Sequence, residues 1–316
     1  MKSRNQLYIF VGVWLVVFLL CSILSAVAYS TDNAAPDPSV PAATDQGGNQ
    51  NAEAGDKAPA TTTDPSTGGD EEVDVKPGSP YDSLTYSAAN AQYLIYVDAG
   101  HGWYDNGSSV RLTADGEYVF EETDENGNKS YVTESGKAVT AEDFEYVYEK
   151  NINFELSKKL KNALEKMGYT VGETRPGDND ADCPVELIGG IFKAQRRTAY
   201  VNSKGANYLV SLHCNTFGNT EVNGTRLFYY QTKDLSKKLA QNLQQSLLSE
   251  MGMEAPLYTD NLAITRESAM PSVLIETAFI TNHDDLNNLL DPDWQDRFVC
   301  AIAKGIDADL HQGDAQ

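Results

Sequence analysis

The chain has 316 residues, 41% of them hydrophobic and 22% charged, with a formal net charge of −22. No basic stripe exists to meet phosphates, which excludes nucleic acid as a partner. The acidity is concentrated at −9 over residues 31–90 and −8 over residues 104–148, so it describes two solvated segments rather than a binding face.

At the N-terminus, Lys2 and Arg4 precede LYIFVGVWLVVFLLCSILSAVA (7–28), which carries no charge. Such a segment is a signal peptide or a membrane anchor. The small residues Ser25-Ala26-Val27-Ala28 favour cleavage after Ala28, whereas the length of the apolar core favours retention. Cys21 is not a lipid-anchor site, because bulky Leu20 stands where a small residue is wanted. In either case the basic end stays cytoplasmic and the rest is exported to the extracellular or cell-wall face. Residues 1–29 are assigned to this segment. Residues 30–88, rich in Pro, Thr, Gly and acid, bury too little apolar surface to offset ordering entropy and read as a disordered linker. One catalytic-sized domain is expected over 89–312.

Within that domain LIYV (94–97) is a buried strand. Residues 104–148 contain two β-rich stretches around Glu125-Asn126-Gly127-Asn128, and Asn-Gly is a hairpin turn signal. An acidic β-hairpin insertion is expected there, as a lid or arm or as surface decoration. KNINFELSKKLKNALEKMG (150–168) is apolar at 152, 156, 160, 164 and 167, the period of an amphipathic helix ended by Gly168. YTVGETR (169–175) reads as a strand, 189–205 as a helix and ANYLVSLH (206–213) as a second apolar strand. GTRLFYY (224–230) is a strand near an edge, 234–252 a helix, PSVLIETA (271–278) a strand and 292–310 a closing helix. This alternation predicts a single α/β domain with a mostly parallel sheet flanked by helices on both faces.

Of the cysteines, Cys21 belongs to the apolar segment, which leaves Cys183, Cys214 and Cys300. Their odd number and wide spacing are not a disulfide framework, although a Cys183–Cys214 bridge stays open.

In parallel α/β sheets functional groups gather where strands end. His101 follows the first strand between two glycines, His213 ends the second, Glu276 follows four apolar residues of the last, and Glu149 opens the first long helix. Singly, each has an ordinary reading: a turn histidine, a core histidine, a strand-end carboxylate facing water, and an acid complementing a helix dipole. Together they supply what zinc catalysis needs, three His or carboxylate ligands and a separate general base. His283, in a loop, and His311, in the tail, fit less well.

The order of these blocks is similar to that of the zinc-dependent N-acetylmuramoyl-L-alanine amidases, cell-wall hydrolases of the amidase-3 type. VDAGHG (97–102) resembles the family's opening motif with its first zinc histidine, and EKNINFELSKKLKNALEKMGYTVGETR (149–175) its ligand-glutamate helix and following strand. RTAYVNSKGANYLVSLHCN (197–215) resembles the segment of the second zinc histidine, and MPSVLIETAFITN (270–282) that of the catalytic glutamate. The resemblance implies one zinc ion held by His101, Glu149 and His213, with Glu276 as general base. The implied substrate is peptidoglycan, cut at the amide between N-acetylmuramic acid and L-alanine. Three features depart from the family pattern: Trp103 after the histidine, Cys214 beside the second ligand, and the long insertion. Strand alternation should point Cys214 away from the site. Arg175, Arg197 and Arg266 are candidates for holding peptide carboxylates or for structural ion pairs. A zinc peptidase or carboxypeptidase acting on stem peptides is an alternative from the same ligand set, and a wall-binding regulator with an idle site is a more distant one.

Overall fold

After two short 3-10 turns, Pro80–Ser83 and Ala88–Gln92, the chain enters the buried strand β1 (Leu94–Ala99). Its alternate side chains face two different layers: Ile95 and Val97 join the main apolar core, while Tyr96 meets Tyr200 and Asp98 meets Arg197 on the other side. A strand covered on both faces needs no polar alternation, which is why it reads as a continuous apolar run. The structure is a computed structural model that describes residues 78–177, 184–187, 190 and 193–311. The apolar segment 7–28, linker residues 30–77 and Cys183 lie outside the described residues. Among the described residues no helix is long and apolar enough to cross a membrane.

The insertion comes next and holds more structure than one hairpin. Strands β2 (Ser109–Thr113), β3 (Val119–Thr123), β4 (Lys129–Thr133), β5 (Ala138–Val139) and β6 (Phe144–Tyr148) form two small sheets, an antiparallel β2–β6 pair and a β3-β4-β5 sheet. The expected turn joins β3 to β4, where the Asp124 carboxylate accepts from the backbone N–H groups of Asn126 and Asn128. The β2–β6 pair has no turn signal of its own, because its partners lie far apart in sequence and pair Ser109 with Tyr148. The insertion is also docked on the main domain. Tyr118, buried, donates its hydroxyl to the Ile280 carbonyl at 2.9 Å, its ring contacts that of His283, and His283 Nε2 lies 2.7 Å from Glu134 Oε2.

Helix α1 (Glu149–Lys166) follows β6 directly and buries Ile152, Leu156, Leu160 and Leu164 along one stripe. It stops at Gly168, whose φ of +94° favours a residue without Cβ. The remaining elements are β7 (Thr170–Glu173), α2 (Ala194–Ser203), β8 (Tyr208–Asn215), β9 (Arg226–Tyr229), α3 (Asp234–Met251), β10 (Leu257–Thr259), α4 (Ala263–Arg266), β11 (Ser272–Phe279), α5 (His283–Leu290) and α6 (Pro292–His311). Helix α2 begins at Ala194; of the helix expected from 189, residues 189, 191 and 192 lie outside the described residues.

The main sheet has the order β10-β9-β11-β8-β1-β7. β7, β1, β8 and β11 run parallel; β9 is antiparallel to β11, and β10 is parallel to β9. The mostly parallel sheet is therefore as expected, and β9 lies near an edge, one strand in. The three-residue β10 covers it. Helices α1, α3 and α6 pack one face, with Leu243, Leu247, Phe298, Ile302 and Ile306 inserted into the same core as Val210, Val273 and Ile275. Helices α2 and α4 lie on the other face. Cys214 and Cys300 are free, buried thiols, and burial pushes the Cys300 thiol up to about 12.

Candidate active site

Where β1 ends, the backbone turns through the left-handed region: φ is 64° at His101, 131° at Gly102 and 54° at Trp103. For a residue with a Cβ this conformation costs about 1–2 kcal/mol, and it rotates the imidazole out of the strand direction. His101 Nε2 then lies 3.2 Å from Glu149 Oε1 and Nδ1 2.8 Å from Asp105 Oδ2. Burial pulls the imidazolium down, but the Asp105 and Glu149 carboxylates outweigh it and raise its pKa to about 10.

Glu149 gains its position from the direct β6-to-α1 join. Its carboxylate is only 3% exposed. Oε2 accepts from Ser108 N–H at 2.8 Å, and Oε1 accepts from Cys214 N–H at 3.0 Å and Asn153 Nδ2 at 3.3 Å. Burial opposes its ionisation, yet the hydrogen bonds and charge of His101 and His213 hold it well below the usual carboxylate range.

His213, on β8, brings Nδ1 to 3.1 Å from Glu149 Oε1. Its ring lies against Gly100, where an added Cβ would sit 2.3 Å from Cε1. Gly100→Ala is therefore expected to push the ring aside and lower metal affinity at least about tenfold, as loss of ligand orientation does; isothermal titration with zinc checks it. Cys214, next along β8, faces the core as strand alternation requires.

One atom from each of His101, Glu149 and His213 lies within 4.8 Å of the other two. Glu276 sits on β11 as the register partner of His213, so both side chains leave the same face of the sheet side by side. It is 7% exposed. The structure thus brings three expected residues into a cluster and sets the fourth on the adjoining strand.

Sequence reasoning missed the groups behind them. Asp98, fully buried, accepts from Thr174 Oγ1 and Ser211 Oγ at 2.6 Å each and from Arg197 Nε at 2.7 Å, tying β1, β8, α2 and the end of β7 together. Burial alone would raise its pKa, but the Arg197 charge and the three hydrogen-bond partners lower it to about 2. The available signal was an acid inside an apolar strand. Of the arginine candidates, Arg197 is buried in this ion pair. Arg175 is buried, packs on Phe154 and donates to the Lys150 carbonyl. Arg266 lies at the surface, paired with Glu267.

Residues 95–308 match the family model described as N-acetylmuramoyl-L-alanine amidase. The chain is 29% identical over 161 residues to the N-acetylmuramoyl-L-alanine amidase LytC of Bacillus subtilis, covering 50% of this chain and 30% of that protein. It is 25% identical over 220 residues to the germination-specific N-acetylmuramoyl-L-alanine amidase of the same organism, covering 67% and 78%. Among solved structures, the CwlD amidase from Clostridioides difficile, determined in complex with the GerS lipoprotein, superposes with a TM-score of 0.52 at 25% identity, over 70% of this chain and 99% of that one. This chain therefore spans less than a third of LytC but the whole of a free-standing amidase fold. With about two thirds of its length inside the family model, and the blocks carrying His101, Glu149, His213 and Glu276 inside that match, the chain belongs to the N-acetylmuramoyl-L-alanine amidase family.

Proposed function

We propose that the protein is a zinc-dependent peptidoglycan hydrolase that cleaves the amide between N-acetylmuramic acid and the L-alanine of the stem peptide. The observation that carries this reading is the convergence of two imidazole nitrogens and one carboxylate oxygen within 4.8 Å in a member of this family. Two histidines and a glutamate are a catalytic zinc donor set, which leaves a position for water and substrate. When bound, the zinc ion supplies Lewis acidity toward water and the scissile carbonyl.

The chain's own residues do the rest. Glu149, fixed by the Ser108 and Cys214 amides, contributes anionic charge without moving. Glu276, beside His213, takes the proton of the attacking water and returns it to the leaving nitrogen. On the sequence reading, residues 1–29 direct export, residues 30–88 act as a tether and 89–312 form the catalytic domain.

Mass analysis of products from a defined muropeptide, with and without chelator, tests the proposal. The expected product carries a new amine on L-alanine and disappears when zinc is removed. A new amine further along the stem would instead identify a peptidase. Independently, His213→Ala is expected to leave the protein without zinc after gel filtration, measured by elemental analysis, whereas wild type retains one ion per chain.

A further inference from the structure

The two ring nitrogens of His101 have separate carboxylate neighbours. Nε2 turns to Glu149, and Nδ1 meets Asp105 Oδ2 at 2.8 Å. Asp105 is itself fixed: its Oδ1 accepts from Gly107 N–H at 3.1 Å, and its backbone exchanges two hydrogen bonds with Gly102, at 2.9 and 3.1 Å. The loop between the first ligand and the insertion thus closes on itself so that one carboxylate faces the back of the imidazole. This matters more here than in a regular strand. His101 sits at a φ of 64°, outside the strand's pleat, so its ring is placed by its neighbours: His213 and Glu149 on one side and Asp105 on the other.

A neutral imidazole has one N–H and one lone pair. A carboxylate cannot donate, so the nitrogen facing it must carry the hydrogen, and the lone pair is left on the other nitrogen. Nε2 also faces a carboxylate, that of Glu149, but it belongs to the group that would hold an ion; the ion would take the place of the Nε2 hydrogen, so the lone pair falls on Nε2 and the hydrogen stays on Nδ1. We infer that Asp105 is the positioning residue of the metal centre: it selects the Nδ1–H tautomer of His101, holds the ring plane, and strengthens Nε2 as a donor. The inference rests on the zinc reading above. Asp105 lies outside the His101–Glu149–His213 group and acts through His101.

The test uses the full-length protein and zinc alone, with affinity read by competition against a chelator. Asp105→Ala is expected to weaken zinc binding about 10–100-fold, the usual cost of losing such a partner. Asp105→Asn keeps an oxygen acceptor without the charge and is expected to fall between Asp105→Ala and wild type; it also guards against a folding defect in the alanine variant. Side-chain nitrogen NMR of the zinc-loaded protein supplies a readout that a merely structural role would not move. Wild type should show hydrogen on Nδ1 of His101, and Asp105→Ala a loss of that N–H signal by exchange with water. Unchanged zinc affinity in a folded Asp105→Ala overturns the inference while leaving the zinc reading intact. Failure of wild type to bind zinc overturns both.

Discussion

Glu276→Gln is expected to lower kcat on a muropeptide about 10²–10⁴-fold, the range that positioned general acid–base catalysis contributes. Zinc content and thermal stability should match wild type. The substitution preserves the shape of a side chain that is 7% exposed and removes its charge together with its capacity to carry a proton. Position gives the expectation its force: Glu276 and His213 are register partners on adjacent parallel strands, so the carboxylate stands beside the His101–Glu149–His213 group without belonging to it. Loss of zinc together with activity would mean that Glu276 is a ligand instead. Near-normal kcat with full zinc occupancy would remove it from the chemistry.

Asp98→Ala is expected to destabilise the fold by about 3–5 kcal/mol, the usual cost of removing one partner from a buried ion pair. The loss strands the Arg197 guanidinium, 3% exposed, with no counter-charge from Asp98, and it unties Thr174 and Ser211 as well. The same carboxylate predicts a pH dependence. Its folded pKa, about 2, lies below the ordinary 3.8, so its stabilisation is present above pH ~4 and lost as pH falls towards 2. The shift corresponds to about 2 kcal/mol. Urea unfolding at pH 7 and pH 3 should show this component in wild type and not in Asp98→Asn. Parallel pH profiles for the two proteins would show that the acid sensitivity comes from elsewhere.

The ease with which each part of the fold is read from sequence follows from how local its cause is. β1, β8 and β11 are legible because burial on both faces makes each a run of apolar residues, and α1, α3 and α6 because one stripe recurs every three to four positions. β10, three residues long, and α5, whose His283-Asp284-Asp285 start reads as a polar loop, carry too little periodicity. The helix is nevertheless capped by Asn282, which accepts from Asp285 N–H. His101, Glu149, His213 and Glu276 are legible as motif residues at element ends. Asp98 is not, because its role depends on Thr174, Arg197 and Ser211, lying 76, 99 and 113 positions away. Arg266 follows β10, which runs opposite to β11, so the candidate arginine leaves the sheet at the edge away from the cluster.

The antiparallel β2–β6 pair carries a consequence for assembly. His101 and Glu149 are separated by 48 positions, and an ion joining them directly would have to draw together the ends of a long, floppy ring. The ladder from Ser109–Tyr148 to Thr113–Phe144 fastens the neck of that ring beforehand, so only the short hop from His101 to Ser109 remains to be ordered. The β3–β4 tip lies beyond the neck, and the insertion's grip on the main domain comes from Tyr118 and Glu134 instead. Lengthening or pruning the β3–β4 tip should therefore leave the spacing of His101, Glu149 and His213 untouched.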